Sequence, residues 1–336
     1  MALSGSYNYT ESVSAATLIA LALRRLGVLG VSETINATEE ANALITLNLI
    51  IKEWTSEGID IWLRKQGYLF LESPGEFTSY TVGTSGNASF TSAYAMTTLA
   101  ADAAASATSI TVTDDTNISD ADVILVKQAD GTFAVDAVSG APSANVVTLT
   151  TGIASDTTAS SGALVYSWAT SSNISAKIDS LIYVARKFED TTGDDTNTTL
   201  KPGQEIEVDI VGEWEYRDSA TNRLQTGAPT FIFHRPTHDQ SRLLIWPTGG
   251  GGYDKLAIQY RTHMQDLDAK TDTIDLPPEG LNPLAWQLAA EMASEYGVSE
   301  REMARLWNIA ESKKNTFIDG TTEDASVIFS KGRPRG

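Results

Sequence analysis

Apolar and polar positions follow two different periods along the chain, and the change of period divides it. Between Ser14 and Leu26 apolar residues nearly encircle a helical projection, with Leu18, Ile19, Ala22, Leu23 and Leu26 as the strongest stripe. Ser12 or Ser14 is placed to cap this helix and Gly27 to end it. A second helix is expected from Asn36 or Thr38, through Leu44, Leu47, Ile51 and Trp54, to Gly58, with Glu39 and Glu40 at its positive end. Two helices on so short a link usually pack antiparallel. Near the other end, Thr273 to Gly297 predicts one helix opened by Pro277 and Pro278. Its stripe is Leu281, Leu284, Leu288, Met292 and Tyr296, and Gly297 is the expected stop. Ser299 to Glu302 reads as a capping box for a last helix, which carries Met303, Leu306, Trp307 and Ala310 to about Phe317.

Between these helices the period is two. Ile59 to Leu63, Gly67 to Leu71 and Tyr80 to Gly83 are short β-type runs. From 84 to 168 helical periodicity disappears, and Lys127 is the one basic residue. Strands are expected at 109–113, 123–127, 132–136, 145–150 and 163–166, with a hairpin turn at Asp130-Gly131. Further on, strands are expected at 180–186, 204–210, 230–234, 242–246 and 256–261, with His263 as a strand residue and Glu213 to Tyr216 as a helical turn. The fold class is therefore α+β. The N- and C-terminal helices (1–72 with 270–318) form one antiparallel helical platform. A β-rich domain (73–83 with 169–269) lies in the middle and carries a small inserted β-sandwich or barrel (84–168). Residues 319–336 form an extended tail.

Composition narrows the chemistry. The 336 residues carry a formal net charge of −19 and no cysteine. Such a surface repels phosphates, so neither sequence-reading DNA binding nor an anionic membrane suits it. The start has no basic and apolar leader and no run is long enough to span a bilayer, so a soluble protein made in the cytoplasm is expected. No cofactor or metal site is expected. His234 and His238 are separated by Arg235-Pro236, which reads as a turn and not a zinc site. Asp114, Asp115, Asp120 and Asp122 lack the spacing of a calcium loop and read as solvated turns. Gly249 to Gly252 has no following Lys-Ser/Thr and reads as a linker. No catalytic residue is assigned. Glu291 and Glu295, at i and i+4, would be the pair to test for glycoside hydrolysis, although a solvated flank of the helix is the plainer reading. Trp286 lies off the Leu281/Leu284/Leu288 stripe and Trp307 adjoins Leu306, so each helix either has a second partner or shares in one large core.

One ordered set of segments resembles a known family. It comprises Ala22-Leu-Arg-Arg-Leu-Gly-Val-Leu-Gly30, Leu47-Asn48 with Trp54 and Gly58, Ile61-Trp62, Tyr80-Thr-Val-Gly83, Gly227-Ala-Pro229 and Ile245-Trp-Pro247. Ile274-Asp-Leu-Pro-Pro-Glu279, Leu288-Ala-Ala-Glu291 and Glu295-Tyr-Gly297 complete it. In this order they are similar to the head-to-tail adaptor (head-completion, packaged-DNA-stabilisation) proteins of short-tailed phages. The resemblance implies a non-enzymatic homo-oligomer ring of twelve copies beneath the portal protein, closing the DNA-filled head. It implies docking of tail nozzle, fibre or spike proteins, with DNA passing through the lumen without sequence recognition. The expected location is the virion neck, after assembly in the host cytoplasm. The tail residues Val327, Ile328 and Phe329, with Lys331, Arg333 and Arg335, are the expected portal contact. Trp286, Trp307, Arg24 and Arg25 are the subunit-interface candidates. Residues 84–168 resemble the β insertion of longer members. The readings from other classes are a glycan-cleaving virion enzyme using paired carboxylates, and a carbohydrate- or tail-fibre-binding module in the insertion.

Overall fold

Side chains near each helix start take up backbone N–H groups that the helix itself leaves free. Ser14 Oγ accepts from Thr17 N at 3.4 Å and Asn36 Oδ1 from Thr38 N at 3.1 Å. The computed structural model describes residues 13–30, 32–59, 63–73, 79–83, 86–154, 157–187, 205–220, 222–250 and 254–321. Its helices are α1 (Ala15–Leu26), α2 (Ala37–Ser56), α3 (Glu213–Ser219), α4 (Pro278–Met292) and α5 (Glu300–Thr321). Its strands are β1 (Arg64–Phe70), β2 (Tyr80–Gly83), β3 (Phe90–Thr91), β4 (Ala95–Thr98), β5 (Ser109–Thr111), β6 (Val123–Lys127), β7 (Phe133–Ala137) and β8 (Val146–Thr148). They continue as β9 (Leu164–Trp168), β10 (Ile178–Lys187), β11 (Glu205–Glu207), β12 (Asp209–Ile210), β13 (Phe231–Pro236), β14 (Gln240–Trp246) and β15 (Lys255–Thr262). The protein is a mixed α+β chain of two compact units, Met1–Leu63 with His263–Gly336, and Arg64–Thr262.

In the helical unit α1 and α2 pack against α4 and α5 around one core. Leu18, Leu23, Leu47, Trp54, Leu284 and Leu288 are all buried in it. The stripe of α4 is thus covered from the other end of the chain. Polar ties hold the two ends together. The first N–H groups of α1 donate to Asp272 O and Lys270 O, both at 2.9 Å. Asn48 exchanges two hydrogen bonds with the backbone of Leu267, each 3.0 Å. The Trp54 indole donates to Gln287 Oε1 at 2.6 Å. Gly27 ends α1 at φ 76°, a conformation that costs a residue with a Cβ. Two expectations need correction. α4 stops at Met292, not at Gly297, because Glu295 N and Val298 N turn back to Met292 O and Ala293 O. At the start of α5, Ser299 Oγ accepts from Glu302 N at 3.4 Å, but the Glu302 carboxylate pairs with Arg305.

In the β unit, sheet order β11-β10-β15-β1-β3 and sheet order β12-β13-β14-β2 send side chains into one shared core. Leu69, Leu256 and Ile258 come from the first, Ile232, Leu243 and Ile245 from the second. All pairings are antiparallel except β12 with β13. The expected strand at 204–210 is two strands in two sheets. Buried Val208 makes the change, its N–H still donating to Val184 O at 2.8 Å. His263 falls just beyond β15 and is not a strand residue. Strands β4-β9-β6-β7 and β5-β8 form two further sheets with a second core, including Ile110, Ile124, Val147 and Val165. The chain leaves for these sheets and returns at one point. Thr91 and Asn173 bridge antiparallel, Ser92 N donates to Ser172 O at 3.0 Å, and Ile174 N donates to Phe90 O at 2.8 Å.

Candidate assembly surfaces

The positively charged last turn of α1 places Arg24 and Arg25 where a helix end favours cations. The two do different things. Arg25 reaches across to α4. Its guanidinium donates to Asn282 O at 3.1 Å and Asn282 Oδ1 at 2.7 Å, and its Cζ lies 4.5 Å from the centre of the Trp286 ring. Burial pushes its pKa down from the ordinary arginine value. Trp286 is half-buried and packs with Leu26, Val298 and Met303 around Ala290, Ala293, Leu306 and Ala310. These two candidates therefore meet each other inside one chain. Arg24 is exposed, as is Trp307, at 41%. Val327, Ile328, Phe329, Lys331, Arg333 and Arg335 lie outside the described residues, as do Ile61 and Trp62.

The exposed apolar residues fall elsewhere. Ile45 (61% exposed) and Leu49 (63%) stand one turn apart on the side of α2 opposite its buried Ala43, Leu47, Ile50 and Trp54. With exposed Thr38, Ala41 and Asn42 they make a face that ends in exposed Lys52, which pairs with Asp266 at 3.2 Å. On α1, exposed Thr17, Leu21 and Arg24, followed by Val28 past the cap, recur at i, i+4 and i+7. In the β unit, Trp214 on α3 is 87% exposed, whereas Tyr216 on the same helix is buried against Phe231 and Phe233. The sequence signal for the α2 face was the width of its apolar set. Leu44, Ile45, Leu47, Leu49, Ile50 and Ile51 are too many for one stripe.

The acidic groups do not come together as the i, i+4 spacing suggests. Glu295 lies beyond α4, so the two carboxylates do not share a helix face. The neighbour of Glu291 is Glu53 of α2. Burial, and then the Glu53 charge, hold the Glu291 carboxyl above the ordinary carboxylate range. Gln287 Nε2 also faces Glu53, at 3.4 Å from Oε2. In the segment first read as solvated turns, aspartates accept backbone N–H groups. Asp114 takes Thr116 N, Asp115 takes Asn145 N, Asp120 takes Gly140 N and Asp122 takes Ser119 N, at 2.7 to 3.0 Å. Asp122 is itself buried, so it departs from the solvated reading. His238 is exposed on the turn between β13 and β14 beside Asp239, while His234 is half-buried in β13 and its pKa is lowered by that burial. No group of three or more such side chains able to hold a metal ion occurs among the described residues, and no helix there is long and apolar enough to cross a membrane.

A cavity of about 510 Å³ lies between the first turn of α4 and the end of α5, lined by Pro277, Glu279, Asn282, Lys313 and Phe317 among others. Its lining mixes apolar and charged groups without a convergent set. No family model matches the chain, and no curated protein does.

Proposed function

We propose that the protein is a structural, non-enzymatic head-to-tail adaptor of a short-tailed phage, assembling as a ring under the portal. The observation that carries this reading is the helical unit. Both chain ends build it, and it presents apolar side chains outward after its own core is filled. A subunit that needs neighbours has such faces. The ordered segments that resemble the adaptor family supply the identity of the assembly. The finer fold belongs to the same proposal: one antiparallel helical platform, a β-rich domain, and a small β-sandwich or barrel inserted in it. The ring closes the DNA-filled head, and DNA passes its acidic lumen without sequence recognition. Val327, Ile328 and Phe329, followed by Lys331, Arg333 and Arg335, dock the portal.

The test is an electron micrograph of the protein mixed with its portal. A ring of added density beneath the portal is expected, and its loss on deleting residues 322–336, which leaves α5 whole. Portal binding that survives the deletion removes the tail from the proposal. No added density at all overturns the adaptor reading.

A further inference from the structure

We infer that the cavity between the first turn of α4 and the end of α5 is the seat of this chain's own Val327, Ile328 and Phe329 until the portal takes that run away. The inference rests on the portal-docking reading of the tail and deepens it by giving the free subunit a place to hold it. The shape of the site is the first argument. Pro283 and Phe317 are buried and Pro277 is half-buried, so the floor is apolar, whereas Glu279, Lys313 and Thr316 are exposed around the mouth. An apolar floor inside a polar rim suits a short apolar stretch of peptide, and about 510 Å³ is room for a few side chains. The rim groups do not converge on one point, as they would to orient a small polar ligand.

The course of the chain is the second. Gly320 lines the cavity, and the described residues end at Thr321, the next position. Beyond it the sequence has one apolar run. Ala325 to Ser330 are uncharged and lie between Glu323-Asp324 and Lys331. The eight residues from Thr321 to Phe329 reach at most about 28 Å when extended. Doubling back from Gly320 to the level of Lys313, seven positions along α5, needs only about 10 Å. The run therefore reaches the floor with residues to spare for the turn. Left in water it would be an adhesive patch on every free subunit, and seating it removes that patch. The portal then competes with the cavity, so docking must exceed whatever the seat contributes.

The chain has no cysteine, so a pair of engineered thiols reports on this contact alone. In the full chain Thr316→Cys, on the rim, is combined in turn with Ser326→Cys and with Ser330→Cys, the serines that flank the apolar run. A disulfide closes only when the two Cα atoms come within about 7 Å. Under a mild oxidant at least one pair is expected to close within the chain about tenfold or more faster than the same tail thiol paired with Thr38→Cys on exposed α2, because an undocked tail meets either position only by diffusion of its linker. Adding Val327→Ser and Phe329→Ser is expected to lower the rate to that of the control pair, and adding portal is expected to do the same to the unaltered run. Closure of both serine pairs no faster than the control overturns the inference. Faster closure of Thr316→Cys with Tyr9→Cys gives the cavity to the N-terminal segment and overturns it too. A disulfide-linked dimer gives the cavity to the tail of another copy and overturns the seat within one chain. Closure that portal does not slow overturns the exchange, whereas the micrograph with the portal decides the adaptor reading separately.

Discussion

Glu291 is the residue at which the helical unit stores electrostatic strain. Its carboxyl is held above the ordinary carboxylate range, by burial first and by Glu53 second. A raised pKa in an acid means that the folded chain binds the proton more tightly than the unfolded one. Protonation therefore stabilises the fold at acid pH. That contribution is complete below the unfolded value near 4.5 and is lost as pH rises through the folded pKa. Glu291→Gln keeps the shape and removes the charge. The variant is expected to melt above wild type at neutral pH, and the difference is expected to close as pH falls through the carboxylate range. Thermal melts across that range check it, and a variant that melts lower at neutral pH would sink the idea. Neither this pair nor the Arg25–Trp286 pair was legible in the sequence. Each joins opposite ends of the chain, and the local spacing rule pointed from Glu291 to Glu295 instead.

At the scale of elements, local signals were legible and long-range ones were not. Ser14, Asn36 and Gly27 act within one turn of chain, and each stands where expected. The run 204–210 looks like one strand because its pattern is uniform; only the sheets on either side of Val208 make it two. The crossing of α4 over α5 shows the same limit. Gly280 sits inside α4, where alanine would ordinarily be better by about 1 kcal/mol. Here a Cβ would lie 2.8 Å from the Leu276 side chain and 2.9 Å from Phe317 Cζ. Phe317 is buried, with its ring centre 5.9 Å from that of Trp54. Gly280→Ala is therefore expected to destabilise by about 1–3 kcal/mol through overpacking. Urea unfolding measures it, and combining it with Phe317→Leu should cost less than the sum of the two changes, because the shorter side chain makes room. A stabilised Gly280→Ala variant would show that α5 yields at this crossing.

For the whole molecule, the change of period from helical to alternating was enough to bring both chain ends together and to set strands between them. Glycine and serine punctuate residues 84–168 throughout, so the alternation by itself does not mark where the chain leaves for sheets β4-β9-β6-β7 and β5-β8. Hydrogen bonding puts the exit and return at Thr91 and Asn173. That geometry makes the segment between them removable. An Asn-Gly turn in place of residues 93–171 closes a two-residue hairpin on the Ser92–Ser172 pair, next to the existing bridge. Excision has a physical cost that can be met in advance. Phe70 of β1 is fully buried and stacks on Trp168, its ring centre 5.0 Å away, and Lys255 lies 4.4 Å from the ring centres of both Tyr94 and Tyr166. Removal strips these partners and opens an apolar patch, so the shortened chain should associate non-specifically unless Phe70→Thr is added. Asp254, which Lys127 of the insertion pairs at 2.9 Å, becomes solvated instead of remaining buried beside a cation. With Phe70→Thr, the shortened chain is expected to unfold cooperatively. If the helical unit makes the ring, the shortened chain should still form a ring under the portal, because that unit is untouched. Attachment of a tail fibre or nozzle, measured by co-sedimentation with the ring, should then be lost if the insertion is the docking module. Retained attachment moves that role to the remaining β sheets. A folded but ring-defective chain would place the subunit contact in the excised segment and remove it from the helical unit.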